Sequence, residues 1–125
     1  MTPSILVIED DADVGRLLCA RLRSAGYQTQ LAGDAVTGLQ AVRRSLPDLV
    51  VLDLTMPAGG GLSVLRFIRL SSKTNLVPVI VLTGVSDEVR RNEALDAGAN
   101  ALFGKPYEAE PLLEEIRKQL GCLTS

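Results

Sequence analysis

Residues of the kinds that handle phosphate and hard cations stand at the ends of short aliphatic runs. Glu9 and Asp10 follow the run at 5–8, Asp53 follows that at 49–52, Thr83 follows that at 77–82, and Lys105, with Pro106 next, comes shortly after 99–103. Brought together, Glu9, Asp10 and Asp53 would repel one another, so such a cluster needs a cation or carboxyls held protonated. Oxygen ligands without His or Cys select a hard ion, and a few carboxylates plus water suit Mg²⁺ beside phosphate. Lys105 adds a compact positive charge and Thr83 a hydroxyl donor, both suited to phosphoryl oxygens. The chemistry this points to is phosphoryl transfer. Histidine is absent from the chain, which excludes Ser-His-Asp and Cys-His nucleophile pairs and imidazole metal sites.

Taken singly, these residues have plainer uses. Asp11 and Asp13 suit the capping of a following helix, Asp53 suits a turn, Thr83 suits a strand end and Lys105 suits a solvated surface. Their coincidence on one rim carries the signal, because ligands of open α/β sheets bind at the carboxyl ends of the strands.

The elements that must position the rim are legible as alternating runs. Those at 5–8, 49–52, 77–82 (broken early by Pro78) and, more weakly, 99–103 are aliphatic without polar alternation, as strands buried on both faces of a parallel sheet should be. The more polar run at 27–31 suits a sheet edge. Between them, Val14, Leu17, Leu18, Leu22 and Ala25 form an apolar stripe before Gly26. Asp34 caps a second helix carrying Leu39 and Val42, with Pro47 beyond it, and Leu62, Leu65 and Ile68 mark a third. Ser86 caps a fourth that Gly98 ends. Pro111 opens a fifth with Leu112, Leu113, Ile116 and Leu120, ahead of Gly121. Five βα units with right-handed crossovers predict an α/β fold, a single doubly wound domain over 1–125 with helices on both faces of a parallel sheet.

Composition narrows the function classes. A length of 125 residues suits one domain. The net charge of −2 and the aromatic share of 3% offer neither electrostatic pull nor stacking surface for direct nucleic acid binding. No apolar run approaches the ~20 residues of a membrane span, so no membrane insertion is expected. Cys19 and Cys122 form no metal-spaced pair, and cytoplasmic thiols are the simpler expectation.

The segments ILVIEDD at 5–11, VVLDLTMP at 50–57, VIVLTG at 79–84 and AGANALFGKP at 97–106 resemble, in order and spacing, a bacterial two-component response-regulator receiver domain over essentially the whole chain. The resemblance implies a flavodoxin-like (βα)5 domain with a five-stranded sheet in the order 2-1-3-4-5. It implies that Asp53 is the phosphoacceptor, that Asp10 and Asp53 bind Mg²⁺ (or Mn²⁺) directly, that Glu9 acts mainly through the ion's water, and that Thr55 gives its backbone carbonyl. Thr83 and Lys105 would bind the phosphoryl group as switch residues, and the bond before Pro106 would be cis. The implied partners are a sensor histidine kinase or histidine phosphotransfer protein as donor, and a downstream protein or separate output domain as receiver of the signal. No output domain is expected within this chain. The protein would be a stoichiometric phosphoacceptor that assists its own phosphorylation and dephosphorylation, not an enzyme in the ordinary sense.

Several positions depart from the family pattern. Leu102 stands where receivers usually carry a switch Tyr or Phe, and Phe103, one place on, suits an inward-facing strand residue. Gly59, Gly60 and Gly61 give the loop after Asp53 either backbone freedom or a plain turn into the next helix. Val85 offers no polar side chain to position an attacking water, which predicts slow self-hydrolysis. A haloacid-dehalogenase-type phosphatase is disfavoured because Thr55 occupies the place of its second Asp. A phosphate loop is disfavoured because five residues separate Gly98 from Gly104 and Pro106 replaces the Ser or Thr. The alternative within the fold is a degenerate receiver acting as a phosphorylation-independent interaction module.

Overall fold

A computed structural model describes residues 2–57, 60–84 and 88–121. The elements alternate as β1 (Ser4–Ile8), α1 (Ala12–Ser24), β2 (Gln28–Ala32), α2 (Ala35–Ser45), β3 (Leu49–Asp53), α3 (Gly60–Leu70), β4 (Val79–Gly84), α4 (Glu88–Asp96), β5 (Ala101–Lys105) and α5 (Ala109–Gly121). The strands form one parallel sheet in the order β2-β1-β3-β4-β5. This is the doubly wound, flavodoxin-like arrangement, with the polar strand β2 at an edge as expected.

Successive strand side chains point to opposite faces, and here both faces are covered. Leu6, Ile8, Val50, Leu52, Val79 and Val81 pack with Val42 of α2, Val64, Leu65 and Ile68 of α3 and Ala94 of α4. Ile5, Val7, Leu49, Val51, Ile80 and Leu82 pack with Leu18, Cys19 and Leu22 of α1 and Leu112, Ile116 and Leu120 of α5. Burying each large aliphatic side chain is worth about 1.5–3 kcal/mol, so a register slip that turned one of these runs over would lose several such terms at once.

Some sequence expectations require correction. In α1 the buried face is Gly15, Leu18, Cys19 and Leu22, whereas Val14 and Leu17 are 37% and 60% exposed and Ala25 lies at the surface. The face runs through Gly15 because a Cβ there would stand 2.6 Å from Leu31 Cδ1. β4 begins at Val79 because Val77 closes a turn, its N–H donating to Thr74 O at 3.0 Å, and Pro78 has no N–H to give. β5 lies two residues later than the run at 99–103, which makes Lys105 its last residue. Gly60 and Gly61 are the first turn of α3, so for them the helix-opening alternative holds. Gly59, the Ser86 cap, Val85 and Cys122 lie outside the described residues.

Candidate functional site

Parallel register brings the rim together. Asp53 is the last residue of β3, opposite Leu82, while Thr83 and Gly84 of β4 pair with Gly104 and Lys105 of β5. On the other side β1 ends at Ile8, and Glu9 continues toward β2 with its N–H on Ala32 O at 3.0 Å. The chain must then turn into α1. Asp11 makes that turn as the N-cap, accepting from the N–H groups of Asp13 and Val14 at 3.0 and 3.2 Å. Asp11 therefore caps the helix while Glu9 and Asp10 stay on the rim.

Asp53 is 2% exposed and every contact fixes its orientation. Its Oδ1 accepts from the Thr55 N–H at 2.9 Å and from the Thr55 hydroxyl at 2.6 Å. Its Oδ2 lies 3.2 Å from Lys105 Nζ, which also donates to Glu9 Oε1 at 3.0 Å. The second Glu9 oxygen accepts the Asp11 N–H at 3.2 Å. The Lys105-Pro106 bond is cis, as expected. Gly61 lets α3 approach the end of β3, since a Cβ there would stand 2.7 Å from both the Asp53 carbonyl oxygen and Leu54 Cα.

Two buried carboxyls face one ammonium, and the electrostatics follow. Burial, the largest influence, pushes Glu9 up to about 7, aided by its hydrogen bond with Asp53 and opposed by Lys105. Burial also works to raise Asp53. The hydrogen bonds from Glu9 and Thr55 and the charge of Lys105 together outweigh it, and hold Asp53 below its ordinary value. Burial tends to lower Lys105, but its contacts with Glu9 and Asp53 prevail and raise it. Burial and Asp53 both resist ionisation of Glu9, which marks a site short of positive charge. One carboxylate oxygen each from Glu9, Asp10 and Asp53 lies within 4.8 Å of the others, and Asp10 is exposed. A set of hard oxygen donors with a deficit of positive charge fits a hard divalent cation, with Asp10 open to its water.

Thr83 is fully buried, and its hydroxyl oxygen has no hydrogen-bond partner among the described residues. Such a group is costly to leave unmatched. A cavity of about 340 Å³ opens beside Asp10, between Asp34, Met56 and Gly60. Leu102 packs into the core on the α3 and α4 side, and Phe103 packs against the α1 and α5 side as a half-buried strand residue. The hydroxyl of Thr55 is the contact that sequence reasoning missed. A Thr two residues after an Asp that ends a strand is its only sequence signal, since a short side chain there can turn back onto the carboxylate.

The family model for the response regulator receiver domain matches residues 5–117. The DNA-binding response regulator MtrA of Mycobacterium tuberculosis (strain H37Rv) is 38% identical over 120 residues, covering 96% of this chain and 51% of that protein. The chain spans about half the length of the curated relatives it matches. Among solved structures, the receiver domain of the sensor histidine kinase PA1611 of Pseudomonas aeruginosa superposes with a TM-score of 0.87 at 29% identity, covering 97% of this chain and 99% of that one. That structure has a magnesium ion coordinated in its active site cleft. The signal receiver domain of a signal transduction histidine kinase from Syntrophus aciditrophicus gives a TM-score of 0.90 at 26% identity, over 98% of this chain and 92% of that one. No helix among the described residues is long and apolar enough to cross a membrane.

Proposed function

The chain belongs to the response regulator receiver domains, phosphoacceptor modules of two-component signalling, and from this premise we propose that Asp53 accepts a phosphoryl group from a phosphohistidine on a partner protein. The observation that carries the reading is the convergence on one buried carboxylate: Lys105 lies 3.2 Å from Asp53 Oδ2, and the unmatched Thr83 hydroxyl stands near the carboxyl end of the neighbouring strand. Glu9, Asp10 and Asp53 would hold Mg²⁺, or Mn²⁺ in its place, with the Thr55 carbonyl as a further ligand. Bound there, the ion would neutralise charge on the phosphoryl oxygens that otherwise repels the carboxylate.

Asp53 attacks phosphorus in line through a carboxylate oxygen, a new O–P bond forms, and the P–N bond to the partner's imidazole breaks with its electron pair returning to nitrogen. Thr55 holds Oδ1 by two donors, which orients the carboxylate before the donor arrives. Lys105 transfers its contact from the carboxylates to a phosphoryl oxygen. Thr83 gains an acceptor for its hydroxyl, so the phosphorylated form satisfies a group that the free form leaves unmatched. The cavity beside Asp10 supports entry of the donor from the open side of the rim. The chain acts as a stoichiometric acceptor in the cytoplasm and passes the change to a downstream protein or to a separate output domain.

Incubation with acetyl phosphate and Mg²⁺, followed by intact and peptide mass measurement, should place one phosphoryl group on Asp53. The absence of any adduct, or undiminished labelling of Asp53→Ala, would overturn the assignment. Lys105→Ala should slow labelling without moving it elsewhere.

A further inference from the structure

The layer made by α2 and α3 is basic on its outer side. No Asp or Glu occurs at 35–47 or at 54–86, whereas those stretches hold Arg43, Arg44, Arg66, Arg69 and Lys73. The two acids that bound the first stretch are spent on backbone donors, Asp34 accepting the Thr37 N–H and Asp48 the Ser4 N–H, each at 2.8 Å. Arg69 is turned inward and donates to Gly98 O and Val77 O at 2.9 and 2.7 Å. Arg43, Arg44, Arg66 and Lys73 are exposed and form no ion pair among the described residues, whereas Arg16 of α1 lies 2.8 Å from Asp13 and Arg117 of α5 lies 3.9 Å from Glu114.

These cations share their surface with apolar groups. On α3 the exposed positions are Ser63, Arg66, Phe67 and Leu70, the spacing of one helical stripe. On the adjacent α2 they include Gln40, Arg43 and Arg44, and the Arg43 guanidinium stands 5.5 Å from the centre of the Phe67 ring, joining the two stripes. Phe67 is 39% exposed and Leu70 85%. Leu76, next to the Asn75 carbonyl that Arg69 holds at 3.2 Å, is 90% exposed. Basic residues in the last turn of a helix offset its dipole, which accounts for the sign of Arg43 and Arg44 but not for Phe67 and Leu70 left in water on the same surface. We infer that the joined outer faces of α2 and α3 dock an acidic amphipathic helix of a partner protein, its apolar side chains on Phe67 and Leu70 and its carboxylates on Arg43, Arg44 and Arg66. A guanidinium already stacked on a ring and free of any carboxylate is prepared for bidentate capture of one. A nucleic acid duplex would leave Phe67 and Leu70 uncovered, and an anionic membrane would repel a chain of net charge −2 that turns only four such cations outward, so a helix laid across both stripes matches the surface best. The inference does not rest on phosphorylation of Asp53.

The test titrates the isotope-labelled full chain with a synthetic helix bearing Leu at i, i+3 and i+7 and Glu on both flanks, followed by chemical shifts. Saturable shifts should be confined to 36–46 and 63–76, with a dissociation constant on the order of 0.1 mM that rises at least about tenfold between about 0.05 and about 0.5 M salt. Leu70→Ser should weaken binding about tenfold, and Arg43→Glu combined with Arg66→Glu at least about thirtyfold, with urea midpoints little changed because these side chains are exposed. The charge-reversed variant should instead bind the same helix carrying Lys in place of Glu about as well as wild type binds the acidic one. Equal binding of both helices by wild type, shifts centred elsewhere, or no saturable shift at about 1 mM helix would overturn the proposal. Tighter binding of phosphatidylserine vesicles or of a mixed-sequence DNA duplex than of the acidic helix would also overturn it, and would assign the surface to a membrane or to nucleic acid.

Discussion

Replacing Thr83 by Val should make the unphosphorylated protein more stable and the phosphorylated protein less responsive. The side chain is 0% exposed, and its hydroxyl has no partner among the described residues, so the folded state bears a desolvation cost that the unfolded chain does not. Valine keeps the branched shape at that point and puts a methyl group where the hydroxyl stood, opposite Gly104 of β5. The cost of an unmatched buried hydroxyl is about 1–3 kcal/mol, and its removal should raise the urea midpoint accordingly and the melting temperature by about 4 °C per kcal/mol. The same variant should still be labelled on Asp53, because the Thr83 hydroxyl makes no hydrogen bond to the nucleophile, but the added stability should shrink once acetyl phosphate and Mg²⁺ are supplied. Wild type alone then gains a partner for the hydroxyl. Paired unfolding curves with and without phosphodonor measure both effects. A loss of more than about 1 kcal/mol in the unphosphorylated variant would show that the hydroxyl is already well bonded, and would refute the reasoning.

The Glu9 carboxyl gives a pH dependence of definite sign. In the unfolded chain it ionises near 4.5, whereas in the metal-free folded state it keeps its proton to about 7. Between those values the folded state binds more protons, so stability should fall as pH rises, by on the order of 3 kcal/mol, and Glu9→Gln should flatten that slope. Magnesium affinity, measured by calorimetry, should rise through the same range as the retained proton is displaced; an affinity independent of pH would contradict the raised ionisation of Glu9. Gly61→Ala drives a methyl group against backbone at Asp53 and Leu54, so urea unfolding should show a loss of about 1–3 kcal/mol, with slower labelling as Asp53 shifts. Leu46 caps α2 with φ 45 and is 49% exposed, so Leu46→Gly should gain about 0.5–1 kcal/mol through relief of left-handed strain less the added chain entropy, visible in the same assay.

What could be read from the sequence follows from which forces set each feature. Strand identity was legible because burial on both faces leaves a continuous aliphatic run, the order across the sheet came with the family resemblance, and the rim residues come at the ends of those runs whatever the loops do. The α1 face was misjudged by counting large apolar residues alone. Gly15 belongs to it because Leu31 occupies the space a side chain would take, a fact about the neighbouring strand that no helical period reveals. The true start of β4 depends on where Val77 sends its N–H, and that is decided by the turn at Thr74. The Thr55 hydroxyl was missed for a related reason: its bond to Asp53 needs the chain to reverse within two residues, which residue types permit but do not impose.

Leu102 joins these observations to the question of signalling. It pairs with Val81 of β4 and packs against the layer that includes Ala94, the buried residue of α4. A ring that moves between exposed and buried positions reports through its own hydroxyl or face. Leucine has neither and can report only through packing, which is short-ranged and falls off within a fraction of an ångström. Any signal carried at this position must therefore pass through its packing in the layer that includes Ala94.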